Sequence, residues 1–265
     1  MSITLYPPAR PRTFAELLDA SLKIFRVSLP KCMPYATIAI LFGELSTLYD
    51  LARGQLLTPR SAMNDPVWIA LYCGGSVLFF VIWMALLRRQ SALAAGRPAG
   101  SRDLLDALRQ APAIVAISLI ASIAVALLIV PPLTLAEPYR SIAFGAMLVP
   151  AIYLSVALSL ALPTCMLTGK GVLQSLLYSL RLIRGNWWRA AVLYIAAAAI
   201  IAAASLFVAV MAAMVLPDPS HADAAARALL VAVALAVAAM GLNFYTAILL
   251  SVFGDLELRR AGHSG

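Results

Sequence analysis

The chain has 265 residues, of which 63% are hydrophobic and only 12% charged, whereas soluble domains carry about 25% charged and roughly 45–50% apolar residues. With a mean hydropathy of +0.91, so much apolar surface cannot be hidden in one or two water-bounded cores. This excludes a secreted, nuclear or cytosolic enzyme, makes lipid the solvent for most of the chain, and leaves nucleic acid an unexpected partner despite the formal net charge of +8.

Residues 1–31 contain Pro7, Pro8 and Pro11 and a charged amphipathic stretch rather than a short apolar core before a small-residue cleavage site, so no cleavable signal peptide is expected. Within this segment, 13–29 places Phe14, Leu17, Leu18, Leu22 and Phe25 on one helical face, with Glu16, Asp19, Lys23 and Arg26 elsewhere. Thr13 and Glu16 have capping-box spacing. Too polar to span, this helix is expected to lie in the interface with its cations at the headgroups.

A span needs about 20 largely apolar residues. The first is expected at 33–52, interrupted by Glu44 and ending at Asp50, with Pro34 and Gly54 as its limits. A second follows at 66–87, where Gly74 and Gly75 permit close backbone approach. A short amphipathic helix at 101–110 leads into a third span at 111–134. The fourth, 142–167, contains Pro150, which is expected to bend it. An amphipathic helix at 171–185 precedes the fifth span, 190–216, whose small-residue run Ala196–Ala204 reads as a packing surface. The sixth is 228–253, followed by Asp255 and Arg259 at ion-pair spacing. The expected fold is an all-α polytopic membrane protein, one integral membrane domain over 1–265. It has six transmembrane helices and up to three cytoplasmic interfacial helices.

Sixteen of the twenty Lys and Arg residues fall in the N-terminal segment, the second and fourth connections and the C-terminal tail; only Arg53, Arg60, Arg140 and Arg227 fall in the other three connections. That asymmetry predicts both termini on the cytoplasmic side. An even number of spans is required by the same result.

The interfacial segments repeat. SLKIFRVSLPK, Ser21 to Lys31, aligns without gaps on SLRLIRGNWWR, Ser179 to Arg189, and DLLDALR, Asp103 to Arg109, echoes ELLDASLK from Glu16. Each copy precedes an odd-numbered span, which suggests three units, each an interfacial helix followed by a two-span hairpin. Lys23, Arg26, Lys31, Arg181, Arg184 and Arg189 then serve either as snorkelling anchors or as a platform for anionic phospholipid headgroups. Trp187 and Trp188 belong at headgroup depth.

These segments resemble a bacterial group, the membrane domain that accompanies some glycerophosphoryl diester phosphodiesterases and its stand-alone YciC-like relatives of uncharacterised function. The resemblance rests on RTFAELLDASLKIFR (Arg12 to Arg26), ALPTCMLTGKGVLQSLLYSLRLIRGNWWR (Ala161 to Arg189) and FGDLELRR (Phe253 to Arg260). Pro163, Ser179, Leu182, Gly185, Trp187 and Arg189 fill the places of the group's proline-led helix and aromatic–Arg ending. Thr168-Gly169-Lys170 departs from the pattern, standing where an acidic residue is often found. The resemblance implies a six-span protein of the bacterial inner membrane. It does not imply phosphodiesterase activity, because the soluble catalytic domain is not part of this sequence.

Among residues at membrane depth, Glu44 is the one acid within a span and a candidate for transport or proton movement. The competing reading is a neutral, hydrogen-bonded carboxyl facing the bundle. Asn243 and Tyr245 in the sixth span are further candidates for an intramembrane polar site, with interhelical hydrogen bonding as the simpler role. The cysteines Cys32, Cys73 and Cys165 have neither metal-ligand nor redox spacing, and the histidines His221 and His263 are predicted on opposite sides of the membrane. No zincin, phosphate-loop or nucleophile motif occurs, so no cofactor or metal is implied. The expectation is a non-enzymatic membrane protein with a structural or accessory role in envelope or lipid homeostasis. Its partners would be the bilayer, anionic headgroups and other membrane proteins. The alternative is a transporter or permease subunit moving a small molecule or lipid.

Overall fold

A computed structural model describes residues 5–53, 65–98, 100, 102–215 and 224–262. Among them there is no strand, and the helices are α1 (Phe14–Gly43), α2 (Leu45–Ala52), α3 (Pro66–Ala94), α4 (Arg102–Arg109), α5 (Ala111–Leu133), α6 (Tyr139–Leu158), α7 (Ala161–Thr168), α8 (Val172–Ile183), α9 (Trp187–Val215) and α10 (Ala224–Gly262). Six helical segments are long and apolar enough to cross a membrane: α1, α3, α5, α6 continued into α7, α9 and α10. The protein is an all-helical, multi-pass membrane protein.

The largest departure from the sequence reading is at the start. The expected interfacial helix and the following span are not separate: α1 runs without a break from Phe14 to Gly43, through Pro30 and Pro34. A proline inside a helix costs about 3 kcal/mol through a lost hydrogen bond and a clash. Here one buried stripe crosses both prolines: Leu17, Ser21, Ile24, Ser28, Cys32, Ala36 and Ala39. It faces α3 and α10, the two helices between which α1 lies. Continuous packing on two sides offsets the proline defects. The chain bends instead at Glu44, which ends α1 and precedes α2.

The N-terminus of α1 forms the reciprocal cap: Glu16 N donates to Thr13 Oγ1 at 3.4 Å and Thr13 N to Glu16 Oε2 at 2.8 Å. In hydrocarbon, helices associate through close packing rather than through exclusion of water. The buried small residues of α1 permit this, and at Gly75 of α3 an added Cβ would lie 2.3 Å from the Phe42 carbonyl oxygen. Gly74 has open space around it. The run Ala196–Ala204 is not the packing surface its composition suggests: within it only Ala197 is buried. α9 lies at the edge of the bundle, against α10, and turns most of this run outward.

The fourth span continues through Pro150 and breaks at Ser159–Leu160. Pro163 has no N–H to bond the Ser159 carbonyl, so the helix ends before it and restarts with Pro163 in the first turn of α7, where a missing donor is tolerated. Beyond the left-handed Gly169 (φ +69°), α8 forms, and Gly185 (φ +84°) turns the chain into α9. The second copy of the repeat thus contains a turn where the first contains uninterrupted helix. Val27 occupies the position of Gly185 in the first copy and keeps its helical backbone.

Candidate functional site

The cation-rich end of the bundle is assembled from the N-terminal segment, α8, the start of α9 and the end of α10. Asp255, 1% exposed, is its centre. Its Oδ1 accepts from Arg12 N at 2.7 Å and its Oδ2 from Arg259 Nε at 2.8 Å. Arg189 and Arg259 in turn donate to the Arg12 carbonyl at 2.6 and 2.9 Å. The N-terminal segment is also held by Leu5 N and Tyr6 N on the Ala94 carbonyl, at 2.8 and 3.2 Å. Both ends of the described chain therefore meet at one end of the bundle. The Asp255–Arg259 pair follows from helical spacing; the long-range partners Arg12 and Arg189 carry no local signal.

Beside this clasp, Arg181, Arg184, Arg259 and Arg260 line a hollow of about 450 Å³ together with Leu182, Gly185, Asn186 and Leu256. Among the described residues no carboxylate lines it. Arg181 and Arg184 are exposed and make no ion pair with the described residues. Arg181 lies in the last turn of α8 and Arg184 caps it, and the left-handed Gly185 then turns the chain into α9. Deeper in α8, Tyr178 donates to Glu257 Oε1 at 3.2 Å, while Lys170 Nζ sits 3.2 Å from its ring centroid. Burial and the neighbouring Glu257 charge push the Tyr178 phenol above its ordinary range.

The remaining headgroup candidates are dispersed. Lys23 is paired with Asp19 at 2.6 Å, and it lines a separate hollow with Arg10, Arg12, Glu16 and Asp19, where two carboxylates offset the cations. Arg26 and Lys31 are exposed along α1. Arg189 is drawn inward to the clasp. Trp187 stacks on Tyr153 with ring centroids 5.6 Å apart and donates to the Tyr153 carbonyl at 3.2 Å. Trp188, 74% exposed, packs edge-on against Trp187.

The intramembrane candidates do not converge. Glu44 is exposed at the α1–α2 bend, and its carboxylate makes no hydrogen bond with the described residues. It does not face the bundle, because α1 turns its small-residue stripe inward and Glu44 falls where that helix ends. Asn243 is fully buried. Its Oδ1 lies 3.0 Å from Gln90 Nε2, which also lies 2.9 Å from Ser28 Oγ and 3.2 Å from the Asn243 carbonyl. This ties α1, α3 and α10 together, but Gln90 Oε1 and Asn243 Nδ2 have no partner. Gln90 escapes sequence reading because it follows Arg88 and Arg89, where the apolar run has ended. Tyr245 lies apart from Asn243's contacts, its ring between Trp83 and Tyr194 at 6.1 and 5.9 Å.

Among the described residues no group of three His, Cys, Asp or Glu is placed to hold a metal. Cys32 and Cys165 are buried and Cys73 exposed, all three as free thiols. His221 and His263 lie outside the described residues. No family model, no curated protein and no solved structure matches the chain.

Proposed function

We propose that this chain is a non-enzymatic protein of the bacterial inner membrane, with both termini in the cytoplasm. In this reading it has a structural or accessory role in envelope or lipid homeostasis and holds anionic phospholipid headgroups at the α8–α9 corner. The proposal rests above all on Arg181 and Arg184, which line this hollow, are exposed, and make no ion pair with the described residues. A cation near an anionic bilayer surface attracts such lipid by about 1 kcal/mol. Guanidinium groups also match phosphate geometry with two parallel hydrogen bonds. The exposed Trp188 beside the corner has the amphipathic ring favoured at headgroup depth.

The test is lipid retention by the full chain, purified from mixed phosphatidylglycerol and phosphatidylcholine bilayers and analysed by native mass spectrometry. Replacing Arg181 and Arg184 together by Ala is expected to weaken phosphatidylglycerol retention roughly 30-fold, the equivalent of about 2 kcal/mol. Phosphatidylcholine retention should stay unchanged. Equal retention of the two lipids by the unaltered chain would remove the headgroup reading. A transporter or permease subunit has less to support it: the acid that motivates it, Glu44, is exposed at a helix bend rather than aimed between the spans.

A further inference from the structure

A groove of about 580 Å³ runs between α3, α5 and α6, with Tyr245 of α10 among its lining residues. Two serine pairs line it, Ser118 and Ser122 on α5, and Ser155 of α6 with Ser159 just past the end of that helix. Ser118 and Ser122 have i,i+4 spacing within α5 and so lie on one helical face. Farther along α5 the lining is wholly aliphatic, from Val125 to Val130. From Ser118 to Val130 the groove follows α5 for about 18 Å at 1.5 Å per residue. It therefore has a polar end without a formal charge and a long apolar end.

The serines do not join the two helices. Ser155 donates to the Ala151 carbonyl at 2.8 Å and Ser159 to the Val156 carbonyl at 2.8 Å, both to carbonyls of α6. Ser159 Oγ also lies 3.0 Å from the Tyr194 hydroxyl. Among the described residues Ser118 Oγ is buried with no partner and Tyr245 makes no hydrogen bond. A buried hydroxyl without a partner costs roughly 1–3 kcal/mol, so Ser118 calls for an acceptor brought by an occupant, and the Tyr245 hydroxyl is a second donor beside the same groove. An acceptor at this depth must be uncharged, since among the described residues no cation lines the groove.

We propose that this groove seats one acyl chain of a membrane glycerolipid. The ester carbonyl accepts from Ser118 and Tyr245, and the chain lies along Val125–Val130. A phosphate is excluded by the absence of cations, and a bare hydrocarbon would leave the hydroxyls unpaired. The lipid ester has the one uncharged strong acceptor attached to a long apolar chain that the bilayer supplies in abundance. This site is separate from the arginine corner, and its ligand chemistry is independent of headgroup charge.

The test uses the full chain in phosphatidylcholine nanodiscs containing a phosphatidylcholine with a photoactivatable diazirine in one acyl chain, with adducts mapped by mass spectrometry. Labelling is expected to concentrate on Val125–Val130 relative to the outward α9 residues Leu206 and Phe207, which report ordinary boundary lipid. Ser118→Ala combined with Tyr245→Phe should lower groove labelling roughly sevenfold, as two intramembrane hydrogen bonds would, and leave α9 labelling unchanged. Ala126→Trp fills the groove without touching either hydroxyl and should abolish groove labelling alone. Labelling of Val125–Val130 equal to that of α9, labelling unmoved by both variants, or cross-linked protein dimers in place of lipid adducts would each overturn the proposal. Because the probe is zwitterionic, these outcomes are independent of phosphatidylglycerol retention at the arginine corner.

Discussion

Arg189 Nη2 lies 3.7 Å from Asp255 Oδ2, joining the first turn of α9 to the last turns of α10. The same nitrogen donates to the Arg12 carbonyl at 2.6 Å, so one guanidinium bridges a helix end and the N-terminal segment. A residue whose sequence context suggests a headgroup cation is thereby occupied in holding the bundle's end together, and Arg181 and Arg184 are left to face outward.

Asp255→Ala should destabilise the protein by about 2–3 kcal/mol. Breaking a buried ion pair costs about 3–5 kcal/mol, reduced here because the Arg189 and Arg259 side chains are 34% and 26% exposed. Chemical unfolding in mixed micelles measures the loss. Limited proteolysis should cut first between residues 5 and 12, since Asp255 holds that segment through the Arg12 amide. Unchanged stability together with an uncut N-terminal segment would refute the clasp.

The Gln90–Asn243 pair predicts a non-additive mutation cycle. Asn243→Leu removes one of the three acceptors of Gln90 Nε2, leaving Ser28 Oγ and the carbonyl of residue 243, and should cost about 1 kcal/mol, the usual worth of a lost hydrogen bond. Gln90→Met should cost a similar amount. The double variant should recover part of the loss, with a coupling near 0.6 kcal/mol and at most about 1.7 kcal/mol. Strict additivity in the same unfolding assay would mean that the two amides do not interact.

Gly75→Ala is expected to force α1 from α3, because the new Cβ would meet the Phe42 carbonyl oxygen at 2.3 Å and neither backbone gives way without moving its helix. Overpacking of this kind costs about 1–3 kcal/mol. The control is Gly74→Ala, whose Cβ meets open space. It should be neutral or slightly stabilising, since Ala is the better helix former.

Asp65 makes the opposite end of the bundle sensitive to acid. Burial alone raises its pKa. The hydrogen bonds from Val67 N, Trp68 N and the Tyr49 hydroxyl, together with the Arg53 charge, outweigh this and hold the carboxyl below its ordinary 3.8. A carboxyl depressed in the folded state stabilises fully above its unfolded pKa, and that contribution is lost as pH falls through the folded one. The unaltered protein should therefore melt higher than Asp65→Asn near neutral pH, and the two melting temperatures should converge below about pH 4. A constant gap down to acid pH would show that the charge is not what the site uses.

Much of this architecture is legible in the amino-acid sequence. The six apolar segments, the capping box at Thr13 and Glu16, and the Asp255–Arg259 pair depend on composition or on spacing within one helix, and such signals are local. Residues whose partners lie on other helices behave differently. Gln90 reads as a tail beyond the second span, the Ser118/Ser122 and Ser155/Ser159 pairs are unremarkable among many small residues, and Arg189 looks like any other boundary cation. Even a repeat with matched residue classes takes two local forms, because Gly185 turns the chain where Val27 continues a helix.

The amino-acid sequence by itself determined that the chain must be helical and membrane-spanning, since a backbone in hydrocarbon has to satisfy its own hydrogen bonds and a long apolar run can do so only as a helix. Tertiary structure decided where α1 ends, which polar groups meet, and which cations face outward. Those outcomes depend on how neighbouring helices close against one another: packing of α1 between α3 and α10 carries it through two prolines, and the Arg12–Asp255–Arg189 clasp consumes one cation while leaving the arginine corner open.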